Sequence, residues 1–129
     1  MANYDKYDPK AGGFRAPLNA DWSTNDLKKV IGVGLNANGN VVKGAGNSGI
    51  VGVLVLTEAL KAGDIVDVMT AGEIVDFSGT GGPGVAGTVY YAATADGVVN
   101  ATSATGKSRV GHTVKADRLV VRFGGVVPA

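Results

Sequence analysis

At 129 residues and a net charge of +1, the chain has room for one modest domain and lacks the basic excess that usually marks a nucleic-acid binder. It has no cysteine, which excludes disulfides and thiolate metal sites. Its longest apolar run, Gly49 to Leu56, is strand-sized and far short of the roughly 20 residues a membrane helix needs. Glycine supplies 21 residues, and the apolar content is carried by Val and Ala, so the composition predicts many short strands joined by tight turns.

Residues 1–29 read as an irregular N-terminal arm. Met1 to Lys10 is polar and charged, unlike a secretory signal. Pro9, Gly12, Gly13 and Pro17 forbid a regular helix. Four of the eight Phe, Trp and Tyr residues lie here: Tyr4, Tyr7, Phe14 and Trp22. Aromatic anchors on a polar, aperiodic segment predict ordering against a partner or a neighbouring subunit, with Arg15 contributing.

Residues 30–129 read as a β domain. Val30 to Leu35 is a strand, Asn36 to Asn40 a hairpin turn with an Asn38-Gly39 cue, and Val41-Val42 the returning strand. Ile50 to Leu56 is a continuous apolar strand. Thr57 to Gly63 is a loop or one helical turn, and Ile65 to Met69 and Glu73 to Phe77 are strands. Ser78 to Gly87 is a Gly-rich loop. Further strands follow at Thr88 to Ala92, Val98-Val99, Arg109 to Val114 and Leu119 to Phe123.

An internal echo runs through this domain. Asn36 to Lys43 leads by a small-residue link to Ile50-Val-Gly52, and Thr94 to Asn100 leads by another to Arg109-Val-Gly111. Ala62-Gly-Asp-Ile-Val then corresponds to Ala116-Asp-Arg-Leu-Val. Neither unit can hold a core alone, so the pair predicts an all-β fold, a small sandwich or barrel built from two similar β units.

Charge is segregated. Residues 51–100 carry six acids and one base, and residues 101–129 carry five bases, Lys107, Arg109, Lys115, Arg118 and Arg122, with one acid, Asp117. Such a layout suits contact between copies, although solvated strand faces give the same pattern.

Motifs for chemistry fail on context. Gly44 to Gly49 has Gly-x-Gly-x-x-Gly spacing but runs into a strand, where a dinucleotide site requires a helix. Gly79 to Gly84 lacks the Lys and Ser/Thr of a phosphate loop. His112 is the single histidine, so neither a catalytic triad nor a histidine-rich metal site can be assembled. Asp64 with Asp67, and Glu73 with Asp76, are three apart, and strand residues at that spacing face opposite sides. The expectation is a non-enzyme with no catalytic residues, cofactor or metal. Two alternatives stay open: a biotinyl- or lipoyl-like carrier domain with Lys61 at its turn, and a carbohydrate- or surface-binding β module using Tyr90 or Tyr91.

The run Ala62 to Val75, then Gly87-Thr-Val-Tyr-Tyr-Ala92, then Gly106 to Phe123 resembles the capsid decoration (cement) proteins of tailed bacteriophages, which have a Gly-Asp-x-Val strand, a Val-Tyr-Tyr strand and a late Val-Gly strand before a Val-rich C-terminal strand. The resemblance covers about Val30 to Phe123. It implies a structural virion protein, made in the host cytoplasm, that binds the major capsid protein on the outer surface of the head. It also implies a homotrimer at local three-fold positions that stabilises the shell, with neither nucleic acid nor membrane as partner. The candidate capsid or subunit contacts are Tyr4, Tyr7, Phe14, Arg15, Trp22, Arg109, Arg118 and Arg122.

Overall fold

The computed structural model of the chain describes residues 12–75, 77 and 85–128. Ten strands follow in order: β1 Gly13–Pro17, β2 Ile31–Leu35, β3 Val41–Lys43, β4 Gly52–Leu54, β5 Ile65–Met69, β6 Ala71–Ile74, β7 Val89–Ala92, β8 Val99–Asn100, β9 Ser108–Lys115 and β10 Arg118–Arg122. They form two five-stranded antiparallel sheets, ordered β1-β5-β4-β2-β3 and β6-β10-β9-β7-β8. Adding five to each label of the first order gives the second. The protein is thus all-β, a sandwich of two similar units, and the duplication reaches further than the echo, since β1 and β6 also correspond.

Local chemistry builds the elements. The β2–β3 hairpin turns where the Asn36 side-chain oxygen accepts the Asn38 and Asn40 amides, each at 3.0 Å, while Gly39 takes a φ of 81°. The echoed Val-Gly pairs mark a packing need. A Cβ on Gly52 would lie 2.5 Å from a Val68 methyl and 2.7 Å from the Met69 carbonyl oxygen, and one on Gly111 would run into the Val120 carbonyl. In both units the last strand crosses so closely that only glycine fits.

Two apolar clusters divide the interior. The first holds Leu18, Trp22, Val33, Val41, Leu54, Val66 and Val68, and the second Val53, Phe77, Tyr90, Val99, Val110, Leu119 and Val121. Val53 and Leu54 are neighbours in β4 yet belong to different clusters, because successive strand residues face opposite sides and both sides are covered. That is why Ile50 to Leu56 reads as an unbroken apolar run. The first sheet curls until Leu18, just past β1, forms a parallel bridge with Val41 on the far-edge strand β3. The two units are stitched by backbone as well: the Gly32 N–H donates to the Gly97 oxygen at 2.8 Å and the Ala45 N–H to the Thr94 oxygen at 2.8 Å.

Two expectations need correction. The arm does not extend to residue 29: Gly13–Pro17 pairs with β5, Phe14 opposite Val68 and Ala16 opposite Val66, so the domain begins by β1. Pro17 sits at the end of an edge strand, where a missing N–H costs least. The strand expected over Glu73 to Phe77 lies at Ala71–Ile74, because pairing with β10 sets Ala71 opposite Arg122, and Phe77 has left the ladder to bury its ring. Of the two forms expected for Thr57 to Gly63, the chain takes the loop. Tyr4, Tyr7 and most of the Gly-rich loop, residues 78–84, lie outside the described residues.

Candidate functional site

Among the described residues, the contacts named from sequence do not form one surface. Trp22 is 4% exposed and belongs to the first cluster. Its amide donates to the Leu60 oxygen at 2.8 Å, and the Lys43 ammonium lies 5.1 Å from its ring centroid. The ring plugs the interior of the first unit, although the sequence placed it among the candidate capsid or subunit contacts. The cause is the Leu18–Val41 closure, which folds the chain after β1 back over the open end of the sheet.

Around that plug sits an ordered polar cluster. The Lys43 ammonium is 2.8 Å from Asp26 Oδ1, while Asp26 Oδ2 accepts the Ser23 amide at 3.0 Å at the start of a short 3₁₀ turn, Thr24–Asp26. The hydrogen bond from Lys43 is the main cause holding the Asp26 carboxyl below its ordinary value, with the Ser23 amide and the charge of Lys43 adding to it and partial burial opposing. Lys43, Lys28 and Lys29 rim a cleft of about 600 Å³ at the junction of the units, floored by Val30, Phe77 and Val99.

Phe14 and Arg15 lie together on a second, more open groove along β1 and β5. Phe14 is half-buried against the first cluster, and exposed Arg15 donates from Nε to Asp67 Oδ1 at 2.7 Å. At the corresponding edge of the other sheet Arg118 pairs with Glu73. Each unit thus closes its edge strand with one ion pair, but the acid and base have exchanged strands. Arg118 is occupied in this way, and its Nε is buried without a hydrogen-bond partner.

Arg109 and Arg122 do share a surface, the outward face of the second sheet. Arg109 lies opposite Tyr91, which lies opposite Asn100. Leu119 and Val121 point inward, so Val120 and Arg122 point outward on the adjacent strand. His112 stands between Val120 and Val89 in the same ladder and is half-buried. Tyr90 is buried edge-to-face against Phe77 with ring centroids 4.9 Å apart, so Tyr91 alone of the pair reaches the outward face. Sequence reasoning named the two arginines as contacts and Tyr90 or Tyr91 as an alternative platform, without choosing between the tyrosines. The register shift between Tyr90 and Tyr91 that sets Tyr91 opposite Arg109 is invisible in a single strand.

Lys61 is exposed in the β4–β5 loop, its amide donating to Asp64 Oδ2 at 2.9 Å. Among the described residues no three of His, Asp and Glu converge as metal ligands, and no helix is long and apolar enough to cross a membrane.

No protein-family model matches the chain, and no curated protein matches it in sequence. Among solved structures, a chain from Mycobacterium phage Patience is similar, with a TM-score of 0.80 and 23% identity over 95% of this chain and 96% of that one. At that identity the likeness is one of fold, and its extent takes in both units.

Proposed function

We propose that this chain is a structural virion protein of a tailed phage that binds the major capsid protein on the outside of the head, as a homotrimer at local three-fold positions, and stabilises the shell without performing chemistry. The observation that carries the reading is the fold shared over nearly the whole of both chains with a protein of Mycobacterium phage Patience. The decoration-protein motifs add support, since they fall on the β5–β6 segment, on β7 and on the β9–β10 pair, the elements that define each unit.

The mechanism is adhesive. A trimer bridging neighbouring capsomers must be detached before they separate. Once one subunit is seated, the other two meet their sites at high effective concentration, so contacts of a few kcal/mol each hold firmly together. Selective binding to the expanded shell then stabilises that state by linkage.

The test is direct. Purified protein is added to expanded heads lacking a decoration layer, then bound protein is counted after sedimentation and head disruption is followed on heating. Saturable binding with a raised disruption temperature is expected. Failure to co-sediment at micromolar concentration would reject the reading.

A further inference from the structure

We infer that the outward face of the second sheet, centred on Arg109 and Arg122, docks onto the acidic β4–β5 loop of a second copy of this chain, around Glu58 and Asp64. This deepens the proposed function, resting on its reading of the protein as an assembly of copies.

The basic face is built. Arg109 is exposed on β9, and its methylenes lie over Gly124, where an added Cβ would come within 3.1 Å of the Arg109 Cδ. Tyr91 flanks it across the ladder, and exposed Arg122 projects to the same side from β10. Next to Tyr91, Asn100 is held by the Lys107 ammonium at 3.0 Å, which adds a further cation to the rim. The ion pairs of the described residues engage Arg15, Lys43 and Arg118, leaving Arg109 and Arg122 without a carboxylate. Planar guanidinium groups beside a tyrosine suit carboxylate recognition at a protein interface.

The duplication shows what this kind of face does. Val53 and His112 hold corresponding places, each following a Val-Gly pair. Val53, on the outward side of the first sheet, is 1% exposed because the second cluster packs on it, whereas the face around His112 has no such cover among the described residues. The first unit's outward face is thus already a packing surface within the chain, whereas the second unit's equivalent leaves Arg109 and Arg122 exposed.

Its complement is on the same chain. Glu58 and Asp64 are exposed in the β4–β5 loop, with exposed Asp21 beside them, its Oδ1 accepting the Ala62 amide at 2.8 Å. Asp64 also fixes the loop by accepting the Lys61 amide. A second copy therefore supplies the acidic surface that the arginines lack. The two surfaces are different patches, so the contact is head-to-tail, and repetition gives a ring where the rotation between copies closes.

Molar mass in solution tests this by light scattering at about 50 mM and about 500 mM salt, conditions that bracket strong and weak screening. The wild type is expected to self-associate, with a dissociation constant raised at least about tenfold at high salt. Arg109→Glu/Arg122→Glu should be monomeric, as should Glu58→Lys/Asp64→Lys, and the four changes combined should restore association. Near-UV circular dichroism confirms folding. Should Asp64→Lys disturb the loop, Glu58→Lys alone carries that arm, and Arg109→Gln/Arg122→Gln replaces the reversal if that fails to fold. A wild type monomeric at low salt, an unchanged mass in the arginine variant, or no rescue in the combined variant would overturn the inference. Head binding is scored separately: a self-associating protein that ignores heads removes the proposed function alone, whereas a monomer that binds heads removes this interface alone.

Discussion

Leu18 and Phe77 occupy the same place in the two halves of the protein. The Leu18 amide donates to the Asp64 oxygen at 2.8 Å and the Phe77 amide to the Asp117 oxygen at 2.7 Å, and in each half that aspartate immediately precedes the last strand. Both side chains are buried, Leu18 in the first cluster and Phe77 in the second. The segment after the first strand of each unit is therefore pinned in one way.

Truncation should divide sharply between residues 11 and 21. A chain starting at Gly12 keeps β1, Leu18 and Trp22 and is expected to melt cooperatively. One starting at Trp22 loses β1 with buried Ala16 and Leu18, a loss of several kcal/mol against a total stability of about 5–15 kcal/mol. Thermal melting by circular dichroism checks both. A cooperative transition in the shorter chain would mean β1 is dispensable. Shell contacts of Tyr4 and Tyr7 are tested by comparing head binding of the chain starting at Gly12 with that of the full chain.

Trp22→Ala should cost about 3–5 kcal/mol in urea unfolding, as for a large buried aromatic. An exposed partner anchor would instead leave stability within about 0.5 kcal/mol of wild type and weaken head binding. The burial of the ring predicts the first outcome.

Glycines 52 and 111 should respond alike to alanine. Overpacking against the neighbouring strand is expected to cost about 1–3 kcal/mol or more at each. Gly39 has open space around its missing Cβ and only a left-handed φ to lose, so Gly39→Ala should cost about 1 kcal/mol. Equal small effects at all three positions would contradict the close strand crossing.

Asp26 should contribute stability that acid removes. Its folded pKa lies below the ordinary value of about 3.9, mainly through the Lys43 hydrogen bond. The unfolded chain therefore takes up this proton first as pH falls. The contribution is complete above about pH 5 and disappears as pH drops through the folded pKa. Asp26→Asn is expected to lower stability by about 0.5–1 kcal/mol at neutral pH and by nearly nothing near pH 2. A penalty that stays constant over that range would show that the ion pair is not its source.

The strands were legible because their signals are local. Val-rich alternation, the Asn38-Gly39 turn and the paired Val-Gly steps each report what neighbouring residues prefer, and the structure places strands there. The last steps of the echo were visible for the same reason. β1 and the bounds of β6 were not, nor was their equivalence: Gly-Phe-Arg-Ala-Pro and Ala-Gly-Glu-Ile share no side-chain pattern, and only pairing with β5 and β10 makes them equivalent.

The candidate surface was legible in charge and not in position. Five bases near the C-terminus were countable, but Arg118 is taken up by an ion pair with Glu73, about 45 residues away, while Arg109 and Arg122 have no carboxylate partner among the described residues. Trp22 shows the same limit more strongly. By itself the order of residues determined that this would be a two-unit β protein of many short strands, because turn chemistry and β-branched packing act between near neighbours. Tertiary structure alone decided which aromatics are core, which charges are spent and where the first sheet closes. Those outcomes depend on surfaces that distant strands bring against a side chain, and no local pattern carries that information.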